Sequence, residues 1–72
     1  MREKVHGFLV NFDEALRHTG FYYLRQDLQF DEARSLFDAA RSRGQSHFED
    51  DHERQFTLVY NRSDGTYDLE RR

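Results

Sequence analysis

The chain has 72 residues, of which 36% are hydrophobic, and its 14 acidic and 11 basic side chains give a formal net charge of −3. This length fits one domain, which we assign to residues 1–72. The negative charge disfavours binding of nucleic acid through overall charge, and the absence of cysteine excludes disulfides and thiolate zinc sites. With no apolar run of about 18 residues and no secretory-signal pattern, we expect a cytoplasmic protein that spans no membrane.

Apolar residues predict a first helix over residues 3–18. Gly20 follows, and a glycine there can end a helix because it accepts left-handed backbone angles. Gly7 opposes the assignment, since glycine weakens a helix interior by about 1 kcal/mol relative to alanine. The predicted buried stripe follows the i, i+3, i+4, i+7 spacing and consists of Val5, Phe8, Leu9, Phe12, Ala15 and Leu16.

The next segment, residues 20–26, reads GFYYLRQ, and we interpret it as a strand. Phe21 and Tyr23 would face one side of a sheet, and Tyr22 and Leu24 the other. A strand that is apolar on both faces needs cover on both faces. The alternative is a short helical turn, with these residues directed inward: Phe21, Leu24 and Leu28.

A second helix is predicted over residues 31–43. Asp31 can cap its N-terminus, and Arg41 and Arg43 suit the partial negative charge of its C-terminus. Gly44 ends it. The predicted buried stripe consists of Phe30, Ala33, Leu36, Phe37 and Ala40.

The last third of the chain predicts strands. A short strand over residues 46–50 has Phe48 as its only apolar anchor. A β-hairpin follows, with its turn at Asp64-Gly65. Either a two-residue or a four-residue loop places the same apolar residues on one face: Phe56, Leu58, Tyr60, Tyr67 and Leu69.

These elements predict an α+β domain in the order helix, strand, helix, short strand and β-hairpin. Both helices should pack on one face of a small, antiparallel-rich sheet. The alternative fold is winged-helix-like, with three helices and a hairpin, and it would require residues 21–28 to be helical.

Residues 46–56 read SHFEDDHERQF and raise the question of a reactive site. His47 and His52 could hold a metal ion with the neighbouring acids. Either histidine could instead serve as the general base of a small RNase-type toxin, with Arg54 or Arg62 holding phosphate. The histidine spacing fits no standard metal motif, and the acids would repel RNA. We therefore interpret DDHER as a solvated turn and predict no catalytic residue, no metal ligand and no cofactor.

The aromatic residues supply the functional hypothesis. We expect a small non-enzymatic accessory or regulatory protein that binds protein, chiefly a second copy of itself. Exposed tyrosine beside arginine is typical of the centre of an interface. The candidates are Tyr22, Tyr23 and Arg25, joined by Tyr60 and Tyr67 if the aromatic face of the hairpin is open. Three alternatives stay open: rings that only complete the monomer's core, a winged-helix-like DNA-binding protein, and an RNase-type toxin or metal-binding domain.

Overall fold

The N-terminal residues form a β-hairpin. The computed structural model of the chain describes residues 1–72. Strand β1 (Arg2–Val5) pairs antiparallel with strand β2 (Phe8–Asn11). The two residues between the strands, His6 and Gly7, have φ angles of 51° and 90°. Positive φ at both positions is what a type I′ turn requires, and this turn is a common two-residue connection of a hairpin.

The helix predicted over residues 3–18 is therefore wrong. Phe8 and Phe12 fit the period of a helix and that of a strand equally well, so they could not distinguish the two. Val10, which the helical stripe left out, is fully buried, whereas Leu9, which the stripe included, is 38% exposed. This alternation is that of a half-buried strand.

Short helical pieces follow the hairpin. A 3₁₀ turn (Glu14–Leu16) leads to α1 (Gly20–Tyr22), which continues as a π-helical stretch (Tyr23–Asp27). We call α1 and this stretch together the 20–27 segment. The strand predicted for residues 20–26 is wrong, and the helical alternative is the conformation that forms.

Burial explains why this segment is helical. Phe21 and Leu24, three residues apart, both enter the core, and Tyr22 between them faces solvent. Gly20 lies against the buried Phe56 ring, which a Cβ at this position would approach to 2.7 Å. Gly20 therefore begins the segment by packing closely, and it does not end a preceding helix as predicted.

Helix α2 (Phe30–Arg43) matches the helix predicted over residues 31–43. Its N-cap is Gln29 rather than Asp31, and the Gln29 N–H donates a hydrogen bond to the Glu32 carboxylate at 3.2 Å. The acidic residues thus lie in the first turn, where the positive end of the helix dipole stabilises them. No helix of the chain combines the length and the apolar character needed to cross a membrane.

The buried face of α2 matches the predicted stripe except at its first position. Ala33, Phe37 and Ala40 are fully buried and Leu36 is half-buried, whereas Phe30 is 50% exposed. Gly44 has a φ of 94° and ends the helix, as predicted.

Three further strands complete a five-stranded sheet. The order across the sheet is β1-β2-β5-β4-β3, and all neighbours are antiparallel except β2 and β5, which are parallel. The predicted hairpin is confirmed, with Tyr60 opposite Tyr67 and a four-residue loop over residues 62–65. The added strands are β3 (Gln45–Glu49), β4 (Gln55–Asn61) and β5 (Thr66–Arg71).

The helices cover one face of the sheet, so the predicted α+β class is confirmed. The winged-helix-like alternative does not form, because residues 2–11 are strands. Aromatic rings fill the layer between helices and sheet. Phe8 stacks on Phe37 with centroids 4.3 Å apart, and Phe12 stacks on Phe21 at 4.0 Å.

Candidate functional site

Tyr22 lies between two shallow depressions of opposite charge. Its side chain is 49% exposed, and it borders both depressions together with His18. The acidic depression, of about 150 Å³, also contains Thr19, Tyr23, Asp27, Asp50, Asp51, His52 and Arg54. The basic depression, of about 230 Å³, also contains Arg17, Phe21, Arg25 and Gln26. We call the two depressions together the Tyr22 surface.

Asp50 organises the turn that forms one wall of the acidic depression. Its buried carboxylate accepts hydrogen bonds from the backbone N–H groups of His52 and Arg54, both at 2.9 Å. The Arg54 guanidinium donates a further hydrogen bond to Asp50 at 2.6 Å, which is also an ion pair. Burial raises the pKa of Asp50, but the hydrogen bonds from Arg54 and His52 outweigh it and hold this pKa below its ordinary value.

The SHFEDDHERQF stretch therefore contains a turn between β3 and β4, as predicted. Asp51, His52 and Glu53 are exposed in this turn, and Glu53 has a positive φ of 61°. One part of the prediction is wrong, since Asp50 is buried and hydrogen-bonded rather than solvated.

Two carboxylates of the acidic depression have no cation partner. Neither Asp27 nor Asp51 forms an ion pair, and the guanidinium in this depression, Arg54, is paired with Asp50. Desolvation and the adjacent Asp51 carboxylate raise the pKa of Asp27, and His52 opposes this shift. The acidic depression thus carries negative charge that a cation from outside could neutralise.

Arg25 is the available cation of the basic depression. Its side chain is 52% exposed and lies 3.6 Å from the Glu3 carboxylate, a loose ion pair. Arg17 is more fully engaged, because it pairs with Glu3 at 2.7 Å and also with Glu14. A new acceptor near Arg25 would therefore compete with only one weak contact.

Three predicted interface residues lie on the Tyr22 surface. Tyr22 and Arg25 are exposed, whereas Tyr23 is half-buried because its ring stacks on Phe48 with centroids 5.8 Å apart. The physical basis given for them, a strand apolar on both faces, is wrong. Tyr22 and Arg25 are instead exposed because they lie on the outer side of a helical segment.

The other two predicted interface residues lie elsewhere. Tyr67 is only 3% exposed and belongs to the core, where its ring meets Phe37 edge-on at 4.9 Å. It cannot contact a partner in this conformation. Tyr60 is half-buried beside Tyr67 and lines a third depression, away from the Tyr22 surface.

The two histidines of the SHFEDDHERQF stretch lie on different surfaces. His47 is on the face of the sheet opposite the helices, and its Nδ1 is hydrogen-bonded to Thr57 Oγ1 at 2.9 Å. His52 lines the acidic depression. The metal hypothesis requires both histidines to lie close to the neighbouring acids. The nuclease hypothesis requires one of them to act together with Arg54 or Arg62. No three histidine, aspartate or glutamate side chains are arranged to hold a metal ion.

Sequence reasoning missed three acidic-depression residues that come from distant positions, His18, Thr19 and Asp27. No motif connects them to Asp51, since only the fold brings residues 18–27 next to the β3–β4 turn. Comparisons with protein-family models, with curated proteins and with solved structures found no match to this chain.

Proposed function

We propose that this chain is a small non-enzymatic accessory protein that acts by binding protein, and that it binds a second copy of itself through the Tyr22 surface. The observation that supports this best is the exposed Tyr22 ring between depressions of opposite charge. Tyrosine and arginine are enriched at the centres of interfaces, because they bury large apolar areas and still satisfy their polar groups.

The charge pattern favours a second copy as the partner. A two-fold axis brings residue i of one copy to residue j of the other, and residue j to residue i. An axis close to Tyr22 and His18 would place Arg25 of each copy beside Asp27 of the other. Two intermolecular ion pairs would form, and each would relieve the repulsion between Asp27 and Asp51.

We expect a weak dimer. An interface of standard size buries about 800 Å² per partner, whereas the entire accessible surface of this chain is 4670 Å². A patch centred on one tyrosine belongs to the class of smaller, transient interfaces. The dissociation constant should be on the order of tens of micromolar.

Replacing Tyr22 with alanine is expected to weaken self-association at least about tenfold, because it removes the ring at the centre of the interface. Sedimentation velocity over a concentration series from micromolar to millimolar measures the change. The matched control is Phe30→Ala, which removes a ring of equal exposure that lies outside both depressions.

The control variant should associate as the wild type does. Wild-type protein that sediments as a monomer throughout the series would contradict self-association. Loss of association in Phe30→Ala but not in Tyr22→Ala would place the interface on another surface. Urea denaturation of each variant verifies that the fold is retained.

A further inference from the structure

A third depression, of about 240 Å³, lies where α2 ends beside β4. It shares no residue with the Tyr22 surface. We propose that it binds a phosphate group, either as the free ion or as the terminal group of a phosphate monoester. It is lined by Arg41, Ser42, Arg43, Gly44, Tyr60 and Arg62.

The backbone holds the basic residues around this depression. Gly44 turns the chain sharply at the end of α2, and its carbonyl accepts a hydrogen bond from the Tyr60 N–H at 2.9 Å. That bond ties the last turn of α2, which carries Arg41 and Arg43, to the end of β4. Arg62 follows β4 directly.

The three lining arginines form no ion pair. All the salt bridges of the chain use other arginines. The acids nearest to them in sequence are engaged elsewhere, since Asp38 pairs with Arg34 at 3.6 Å and Asp64 with Arg2 at 3.4 Å. Asp64 also accepts hydrogen bonds from the Thr66 hydroxyl and N–H. A chain of net charge −3 thus carries a local concentration of unpaired positive charge at this depression.

The chemistry of the lining suits phosphate. Guanidinium groups are always charged, and their planar forks donate paired hydrogen bonds to phosphate oxygens. A phosphate monoester carries a charge of about −1.5 to −2 at pH 7, which three guanidiniums can neutralise, and the Tyr60 hydroxyl can donate as well. Small-molecule sites usually measure about 300–1,000 Å³, so this depression suits a phosphate group rather than an entire larger ligand.

The affinity must come from side chains. The C-terminal end of α2 carries partial negative charge and opposes an anion there. The Gly44 N–H is also occupied, because it donates to the Ala40 carbonyl at 2.7 Å. Removing guanidiniums should therefore remove most of the binding.

Titration with inorganic phosphate at constant ionic strength tests the proposal, with arginine Nε–H resonances as the NMR readout. We expect saturable shifts at Arg41, Arg43 and Arg62, and none at Arg71, an exposed arginine near the opposite end of the β4–β5 hairpin. A second titration with phosphoserine distinguishes the source. If phosphoserine binds more tightly than inorganic phosphate, the ligand is a monoester. If inorganic phosphate binds and phosphoserine does not, the ligand is the free ion.

The double variant Arg43→Gln/Arg62→Gln should bind phosphate at least about tenfold more weakly, because two of the three guanidiniums are lost. Arg71→Gln should bind like the wild type. The substituted residues Arg43, Arg62 and Arg71 are all exposed, so the variants should keep the wild-type unfolding temperature. Undiminished binding in the double variant, equal affinity for acetate, or unsaturable shifts that include Arg71 would each overturn the proposal.

Discussion

Replacing Phe37 with alanine is expected to lower the free energy of unfolding by about 3–5 kcal/mol. Phe37 is fully buried, and its ring stacks on Phe8 at 4.3 Å and meets Tyr67 edge-on at 4.9 Å. Truncation would leave a cavity where α2 contacts residues from both hairpins. The total free energy of unfolding of a domain of this size is about 4–11 kcal/mol, so the variant should be close to the limit of folding.

Urea denaturation followed by circular dichroism measures this loss. Phe30→Ala is the matched control, since it makes the same substitution in the same helix at a ring that is half exposed. It should cost about 1 kcal/mol or less. Equal losses in the two variants would contradict the placement of Phe37 in the core.

Asp50→Asn is expected to lower the free energy of unfolding by about 2–3 kcal/mol at pH 7. The substitution removes the charge that pairs with Arg54, and it replaces an acceptor oxygen with an NH₂ group that cannot accept. The oxygen that is lost is the one that accepts from the Arg54 guanidinium at 2.6 Å, whereas the retained oxygen can still accept from the backbone N–H groups of the turn. Denaturation of both proteins at a series of pH values measures the difference.

The difference in the free energy of unfolding between the wild type and Asp50→Asn should disappear in acid. The pKa of Asp50 is lowered from its ordinary value of 3.8, so its stabilising contribution is complete above that value and is lost as the pH falls through the lower folded pKa. Asp51→Asn is the control, since this neighbouring carboxylate forms no ion pair. Its stability should stay within about 0.5 kcal/mol of the wild type. A loss in Asp50→Asn that does not depend on pH would contradict the role of the charge.

Local signals were sufficient for the second half of the chain. In α2, acidic residues at the start, basic residues at the end and Gly44 agree with the apolar period. In the β4–β5 hairpin, alternation and the turn sequence agree as well. Each element was specified by several independent features of its own sequence, which is why tertiary packing did not alter it.

The first half depended on features that a sequence pattern does not resolve. For β2, the choice between a helix and a strand rested on whether Leu9 or Val10 is buried. The turn at His6-Gly7 would have decided this choice in favour of a strand. The helical conformation after Gly20 buries Phe21 and Leu24, and Gly20 itself packs against the Phe56 ring, which lies 36 positions later in the chain. Propensity favoured a strand for this aromatic run, and long-range packing overrode it.

The candidate site was predictable only in part. Tyr22 and Arg25 were expected to be exposed, and they are, although the strand conformation predicted for them is wrong. Asp27 could not be identified, because its significance comes from its position next to Asp51 in another element. Tyr67 was a candidate only if the aromatic face of the hairpin was open, and its burial in the core shows that it does not lie on an open face.

Mixing two charge-reversal variants tests the proposed two-fold dimer most directly. Arg25→Asp alone and Asp27→Arg alone should each abolish self-association, because each sets like charges against each other across the axis. In an equimolar mixture, the carboxylates at positions 25 and 27 of one variant would face the guanidiniums at positions 27 and 25 of the other. Sedimentation should then show a heterodimer of wild-type affinity. A mixture that stays monomeric under conditions where the wild type dimerises would contradict the pairing of Arg25 with Asp27.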